Sequence, residues 1–260
     1  MKKALALILT ASLLTGVLTA CGSSEAQTDA AETTTEEAAA EETAAEETAD
    51  TDAQAETGDL QVITVAATAV PHAEILEAAK PILAEQGYDL QVTVFDDYVQ
   101  PNEVVEAGDI DCNYFQHIPY LNSYNEERGT HLVSVGEIHY EPIGIYAGTE
   151  SDLSNIPDGA DIAIPNDTTN EARALLILQD NGIITLKEGA GIDATINDIA
   201  ENPHNINFVE MEAAQVSKVL SEVAFAVING NYALDAGLNA QTDALASETS
   251  DSLAAQTYVN

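Results

Sequence analysis

The chain has 260 residues, 45 of them acidic against 7 basic, for a formal net charge of -38 at pH 7. So negative a surface repels phosphate backbones, which excludes nucleic acid as a partner, and it disfavours adsorption to anionic lipid by charge alone. Cys21 and Cys112 are the only cysteines and the five histidines are scattered, so spacing predicts neither an internal disulfide nor a metal centre. Only convergence in space of His72, His117 and His139 leaves a route to one.

The elements, in chain order, begin with a targeting segment. Lys2 and Lys3 precede a mostly apolar run, Ala4 to Val17, and a small-residue cleavage site ends at Ala20. This is the layout of a bacterial secretory signal over residues 1–20. The run is too short and Gly-interrupted for a membrane span of about 20 residues. Leu18-Thr19-Ala20-Cys21 resembles a lipobox, which implies cleavage before Cys21 and acylation of its thiol. Residues 21–59 then hold acidic, small and hydroxylated side chains with no aromatic and no base. Such a segment buries too little apolar surface to order and is extended by its own charge, so it predicts a tether.

The folded part is expected from Leu60 to Asn260. Strand-type runs at Val62–Ala66, Leu90–Phe95 and Ile110–Tyr114 alternate with helical patterns at Glu74–Gln86, Asn102–Ala107 and His117–Glu127. Pro81 predicts a kink in the first helix, and Gly87, Gly108 and Gly129 close the three. His131 to Ala147 reads as extended. A second set follows: a strand at Asp161–Pro165, then a helix at Asn170–Gln179 capped by Thr168 or Thr169 and stopped by Asn181-Gly182. Thr195–Ala200 predicts a short helix, Asn207–Glu210 a strand, Ala213–Glu222 a helix and Ala224–Ile228 a strand. Strands alternating with helices define an α/β class. Two sets joined near Tyr146 predict two lobes, at 60–146 and 147–232, with 233–260 returning to the first lobe. Cys112, between Ile110 and Tyr114, is expected to be a packed thiol.

Candidate binding residues stand out because bases are so few. Arg173 follows Asn170 by three residues at a helix start, where free backbone N–H groups favour an anion. A planar guanidinium there can grip a ligand carboxylate with two hydrogen bonds, or it can pair with Glu171 or Asp167. Tyr98, Phe115 and His117 lie just past strand ends, where open α/β sheets bind ligands. Aromatic faces suit an apolar or thioether side chain, although such a cluster also serves as core. No nucleophile elbow, phosphate loop or zinc-protease motif is present, so binding is expected and catalysis is not.

Several segments together resemble the NlpA/MetQ lipoproteins: Pro71-His72-Ala73-Glu74-Ile75, Phe95 to Asn102, Gly108 to Asp111, Asn113 to His117, Glu141 to Gly144, Ile164 to Asp167 with Asn170 and Arg173, and Ala226 to Asn229. The resemblance runs from about residue 62 to Asn260. It implies a two-lobed, type II-like periplasmic-binding-protein fold with a hinged cleft. It also implies capture of L-methionine for an ABC permease and its ATPase, by a protein held by lipid on the outer face of the cell membrane. Tyr98 and Phe115 would flank the thioether, with His117 beside them. Asn170 and Arg173 would take the carboxylate, Asn229 the amino or carboxylate group, and no cofactor is implied. Asn166 and the Glu141 region are weaker candidates. D-methionine or a methionine-containing dipeptide is an alternative ligand, and a surface adhesin an alternative class. Family members continue past Tyr258-Val259-Asn260 with a strand and a helix completing the first lobe, an element expected to be missing from this chain.

Overall fold

A computed structural model describes residues 59–249 and 257–260. The expected signal segment, the lipidation site Cys21 and the tether up to residue 58 lie outside them. No helix among the described residues is long and apolar enough to cross a membrane.

The first half is a parallel sheet of three strands, β1 (Gln61–Ala67), β2 (Tyr88–Val94) and β3 (Cys112–Tyr114), in the order β2-β1-β3. The central strand ends in the buried run Val65-Ala66-Ala67, as a parallel strand covered on both faces should. Three helices connect and follow these strands: α1 (Glu74–Ala84), α2 (Gln100–Glu106) and α3 (Ile118–Arg128). The α1 helix runs through Pro81. His117 caps α3, its ring accepting from the Tyr120 N–H at 3.1 Å, and Gly129 ends it at φ 68°, a left-handed conformation that suits a residue without Cβ.

The second half is a five-stranded mixed sheet built from β4 (Gly144–Ala147), β5 (Asp161–Pro165), β8 (Asn207–Met211), β9 (Phe225–Ile228) and β10 (Ala244–Ser247), in the order β10-β4-β9-β5-β8. A small hairpin, β6 (Thr185–Leu186) with β7 (Ile199–Glu201), stands apart. Alternation along the strands divides the core between two faces. Ile145, Ile162, Ile164, Phe225 and Val227 pack with Leu175 and Leu178 of α4 (Thr168–Asp180). Tyr146, Ala163, Ala226 and Ile228 face the other way, onto Val216 of α5 (Ala213–Val216) and Tyr232 of α6 (Gly230–Asp235). Being apolar on both faces, these strands are interior ones.

Four features differ from the sequence expectation. The cap of α4 is Asp167, whose carboxylate accepts from the Asn170 N–H at 3.1 Å, and Thr168 already lies within the helix. The helix expected over Thr195–Ala200 is one 3-10 turn at Ile196–Asp198, closed by a Thr195/Asp198 capping box, after which the chain extends into β7. The helix expected to Glu222 is α5 followed by a 3-10 turn at Ser217–Val219. Finally, Ala244–Ser247 is an edge strand of the second sheet, antiparallel to β4, although it was expected in a return to the first lobe. Among the described residues that return is made by 257–260: Val259 bridges Tyr140 and accepts from the Ile118 N–H at 3.1 Å.

Candidate ligand-binding site

The C-terminal ends of both sheets converge on one cavity. Tyr98, Phe115, His117 and Tyr120 line it from the first half, and Asn170, Arg173, Asn229 and Gly230 from the second. Glu141 and Asn260 line it from segments that run between the halves. All six ligand-binding residues expected from the sequence thus border one space. Asn166 does not border this cavity. Its backbone N–H donates to the Met211 carbonyl.

A chain of hydrogen bonds fixes the polar wall. The His117 Nδ1 accepts from the Tyr120 N–H, so its Nε2 carries the proton and donates to the Asn170 Oδ1 at 3.1 Å. The same oxygen accepts from the Asn229 Nδ2 at 2.7 Å, while the Asn170 Nδ2 donates to the Asp167 Oδ1 at 2.8 Å. The orientation of each amide follows from its neighbour. The last link leaves the Asn229 Oδ1 buried with no partner among the described residues. A buried acceptor in a native site is expected to have a donor, and the cavity is where one can come from.

Arg173 is almost fully buried. Its two-pronged carboxylate partner is Glu248, which takes the Nε at 2.8 Å and the Nη2 at 2.6 Å. The Nη2 also donates to the Glu141 carbonyl at 2.6 Å. Neither partner anticipated within the chain takes this role, because Asp167 caps α4 and Glu171 accepts from the Ile196 N–H at 2.8 Å. The guanidinium lies 4.6 Å from the Tyr258 ring centroid and 5.6 Å from that of Tyr140. Burial opposes its charge, but the hydrogen bonds and charge of Glu248 outweigh this and hold it above its ordinary pKa. The hydrogen bonds to Glu248 and to the Glu141 carbonyl use the Nε and Nη2.

The apolar wall is aromatic. The Tyr98 ring lies 5.7 Å from Phe115 and 5.7 Å from Tyr120, and the Phe115 and Tyr120 rings stand edge to face at 6.1 Å. The Tyr98 hydroxyl crosses to the Asn231 Oδ1 at 2.5 Å, and the Tyr232 hydroxyl crosses back to the Asp96 carbonyl at 3.1 Å. Sequence reasoning missed Gln116, Tyr120, Gly230 and Asn260 as lining residues. Gln116, Tyr120 and Asn260 stood in noted segments, but only the third dimension turns them toward the cavity.

Burial lowers the His117 pKa to about 3, with the Arg173 charge acting in the same direction. Burial also lowers that of His72 to about 4, with Glu141 opposing and His139 assisting. As pH falls, the unfolded chain therefore takes up protons before the folded one does. The stability tied to these neutral rings is complete above about pH 6.5 and is lost progressively toward pH 4 and then 3. The urea midpoint of the wild type is expected to drop between pH 7 and pH 5, and the drop to be smaller in His117→Gln. Equal drops in the two proteins would remove His117 from this account.

Two α/β halves closing on a buried cavity, with aromatic rings on one side and amides with an arginine on the other, define a two-lobed ligand-binding protein. Residues 63–260 match the model of the NlpA lipoprotein family, and the chain belongs to that family. A lipoprotein from Ruminococcus gnavus ATCC 29149 has 68% sequence identity and a TM-score of 0.76, over 77% of this chain and 82% of its own. A nutrient binding protein from Burkholderia cenocepacia, solved bound to methionine, has 44% identity and a TM-score of 0.72, over 76% of this chain and 82% of its own. Among curated proteins, the methionine-binding lipoprotein MetQ of Bacillus subtilis (strain 168) is 41% identical over 199 residues, 75% of this chain and 72% of the relative.

Proposed function

We propose that this chain is the substrate-binding component of an ABC importer and captures L-methionine between its lobes for delivery to a permease and its ATPase. The observation that carries this reading is the unpartnered Asn229 Oδ1, a fixed acceptor in a cavity that both lobes line. It suits the ligand ammonium. The Arg173 Nη1 is the matching donor for the ligand carboxylate, and Tyr98 and Phe115 offer ring faces to a thioether. The methionine held by the Burkholderia cenocepacia relative and the name of the Bacillus subtilis relative, a methionine-binding lipoprotein, support the same ligand.

Residues 1–20 direct export and Cys21 carries the lipid, which places the binding lobes on the extracytoplasmic face. Residues 21–59 act as the tether. The lobes at 60–146 and 147–232 move about the segments that cross between them, and the ligand favours closure because it touches both.

Calorimetric titration of L-methionine into protein unfolded and refolded to strip carried-over ligand tests the reading. One site per chain is expected. Asn229→Ala is expected to weaken it by about 10- to 150-fold, the range for a hydrogen bond to a charged group. Tighter binding of D-methionine or a methionine dipeptide would reassign the ligand. No binding of any of the three by folded protein would overturn the proposal and favour an adhesin.

A further inference from the structure

Behind the cavity, three side chains outside the ligand wall's hydrogen-bond chain come together: His72, in the π-helical turn Ala69–Ala73 after β1, with His139 and Glu141 from the crossing segment. Each offers one ligand-type atom, and the three atoms all lie within 4.8 Å of one another. His72 is fully buried. The His139 Nε2 and the Glu141 Oε1 are 3.3 Å apart, yet both are buried without a hydrogen bond. Tetrahedral ligands held at about 2.0–2.2 Å from one zinc ion stand about 3.3–3.6 Å apart.

The groups behind the rings fit the same arrangement. The His72 Nδ1 is 2.7 Å from the Thr68 hydroxyl, and the His139 Nδ1 is 2.7 Å from the Tyr114 hydroxyl. Each imidazole thus has its outer nitrogen anchored and its inner one turned inward, as metal-ligating histidines are usually held. The Asn260 Nδ2 sits 3.4 Å from the His72 Nε2 and 3.2 Å from the Glu141 Oε2. Turned over, that amide presents an oxygen as a fourth ligand. Because Glu141 and Asn260 also line the ligand cavity, an ion reaches the cluster from there.

We infer that His72, His139 and Glu141 form a binding site for one divalent transition-metal ion of the zinc type, adjoining the amino-acid cavity. Two imidazoles and a carboxylate suit zinc better than calcium or magnesium, which prefer all-oxygen shells.

The test is titration of zinc into the full chain against a chromophoric chelator, without amino acid, so that it does not depend on the transport reading. One site per chain at least 100-fold tighter than any others is expected. It should vanish in His139→Ala and in His72→Gln and persist in His131→Ala, which removes an exposed histidine–glutamate pair. Far-UV circular dichroism of His139→Ala reports whether that variant is folded. X-ray absorption at the zinc edge of the wild type needs no variant, and two imidazoles in the first shell are expected. Only weak, multiple sites, or a shell of oxygens alone, would overturn the inference.

Discussion

Replacing Glu248 with alanine is expected to cost about 3–5 kcal/mol of folding stability, read as the shift in a urea unfolding curve. Glu248 is the only side-chain carboxylate that Arg173 contacts among the described residues, and the two side chains are 4% and 8% exposed. Its Oε2 also accepts from the Tyr140 hydroxyl at 2.7 Å and from the Ile143 N–H at 2.9 Å. Removing it strands a buried cation and two further donors at once, and the cost comes from the groups left behind. The double replacement Arg173→Met with Glu248→Leu separates that cost from the worth of the pair. It takes out both charges and is expected to recover most of the loss, because a buried ion pair repays little beyond its own desolvation. A loss below about 1 kcal/mol in Glu248→Ala would show that water reaches Arg173 and that the pair behaves as a surface one.

This pair also shapes the cavity. With the Nε and Nη2 committed to Glu248 and the Glu141 carbonyl, the arginine offers a ligand one edge, not its full fork. Its charge is already balanced within the chain. A zwitterion, which brings its own ammonium to the Asn229 Oδ1, matches such a site better than a ligand with net negative charge.

How much of this was legible in the sequence depended on how far apart the partners lie in the chain. The strand at Asp161–Pro165 appears at the predicted residues, because Ile162, Ala163 and Ile164 alternate between two buried faces. Asn170 and Arg173 share one helix, so their common direction is a matter of local spacing. Tyr98, Phe115 and His117 follow strand ends, where the class of fold directs attention. Glu248 was illegible for the opposite reason: it lies 75 residues from Arg173 and is one of 45 acids. Nothing local marks it as the buried one. Of the three histidines that were candidates for convergence, the fold unites His72 and His139, while His117 turns away to Asn170. Which of them meet depends on where the crossing segment lies over β1 and β3, and that is a tertiary fact.

Asn170→Ala is expected to weaken ligand binding by 100-fold or more. Its Oδ1 is the shared acceptor for a ring from the first half and an amide from the second. Without it the His117 Nε2–H and the Asn229 Nδ2 are both stranded in a buried setting, at about 1–3 kcal/mol each, and Asn229 is free to swivel. Tenfold in affinity corresponds to about 1.4 kcal/mol, so even partial transfer of these costs to the bound state reaches that range. Asn170→Asp is the informative companion. It keeps an acceptor for both donors but loses the Nδ2–H that binds Asp167, so two carboxylates now face each other at that position. Like charges that close resist ionising together, and one proton shared between them would replace the lost donor. Affinity in Asn170→Asp is therefore expected to be low at pH 7.5 and to recover on acidification to pH 5.5. In the wild type the corresponding group is an amide and His117 stays neutral down to about pH 3, so no such recovery is expected. Parallel pH profiles in the two proteins, or near-normal affinity in Asn170→Ala, would mean that the lobes are held together by contacts other than this amide.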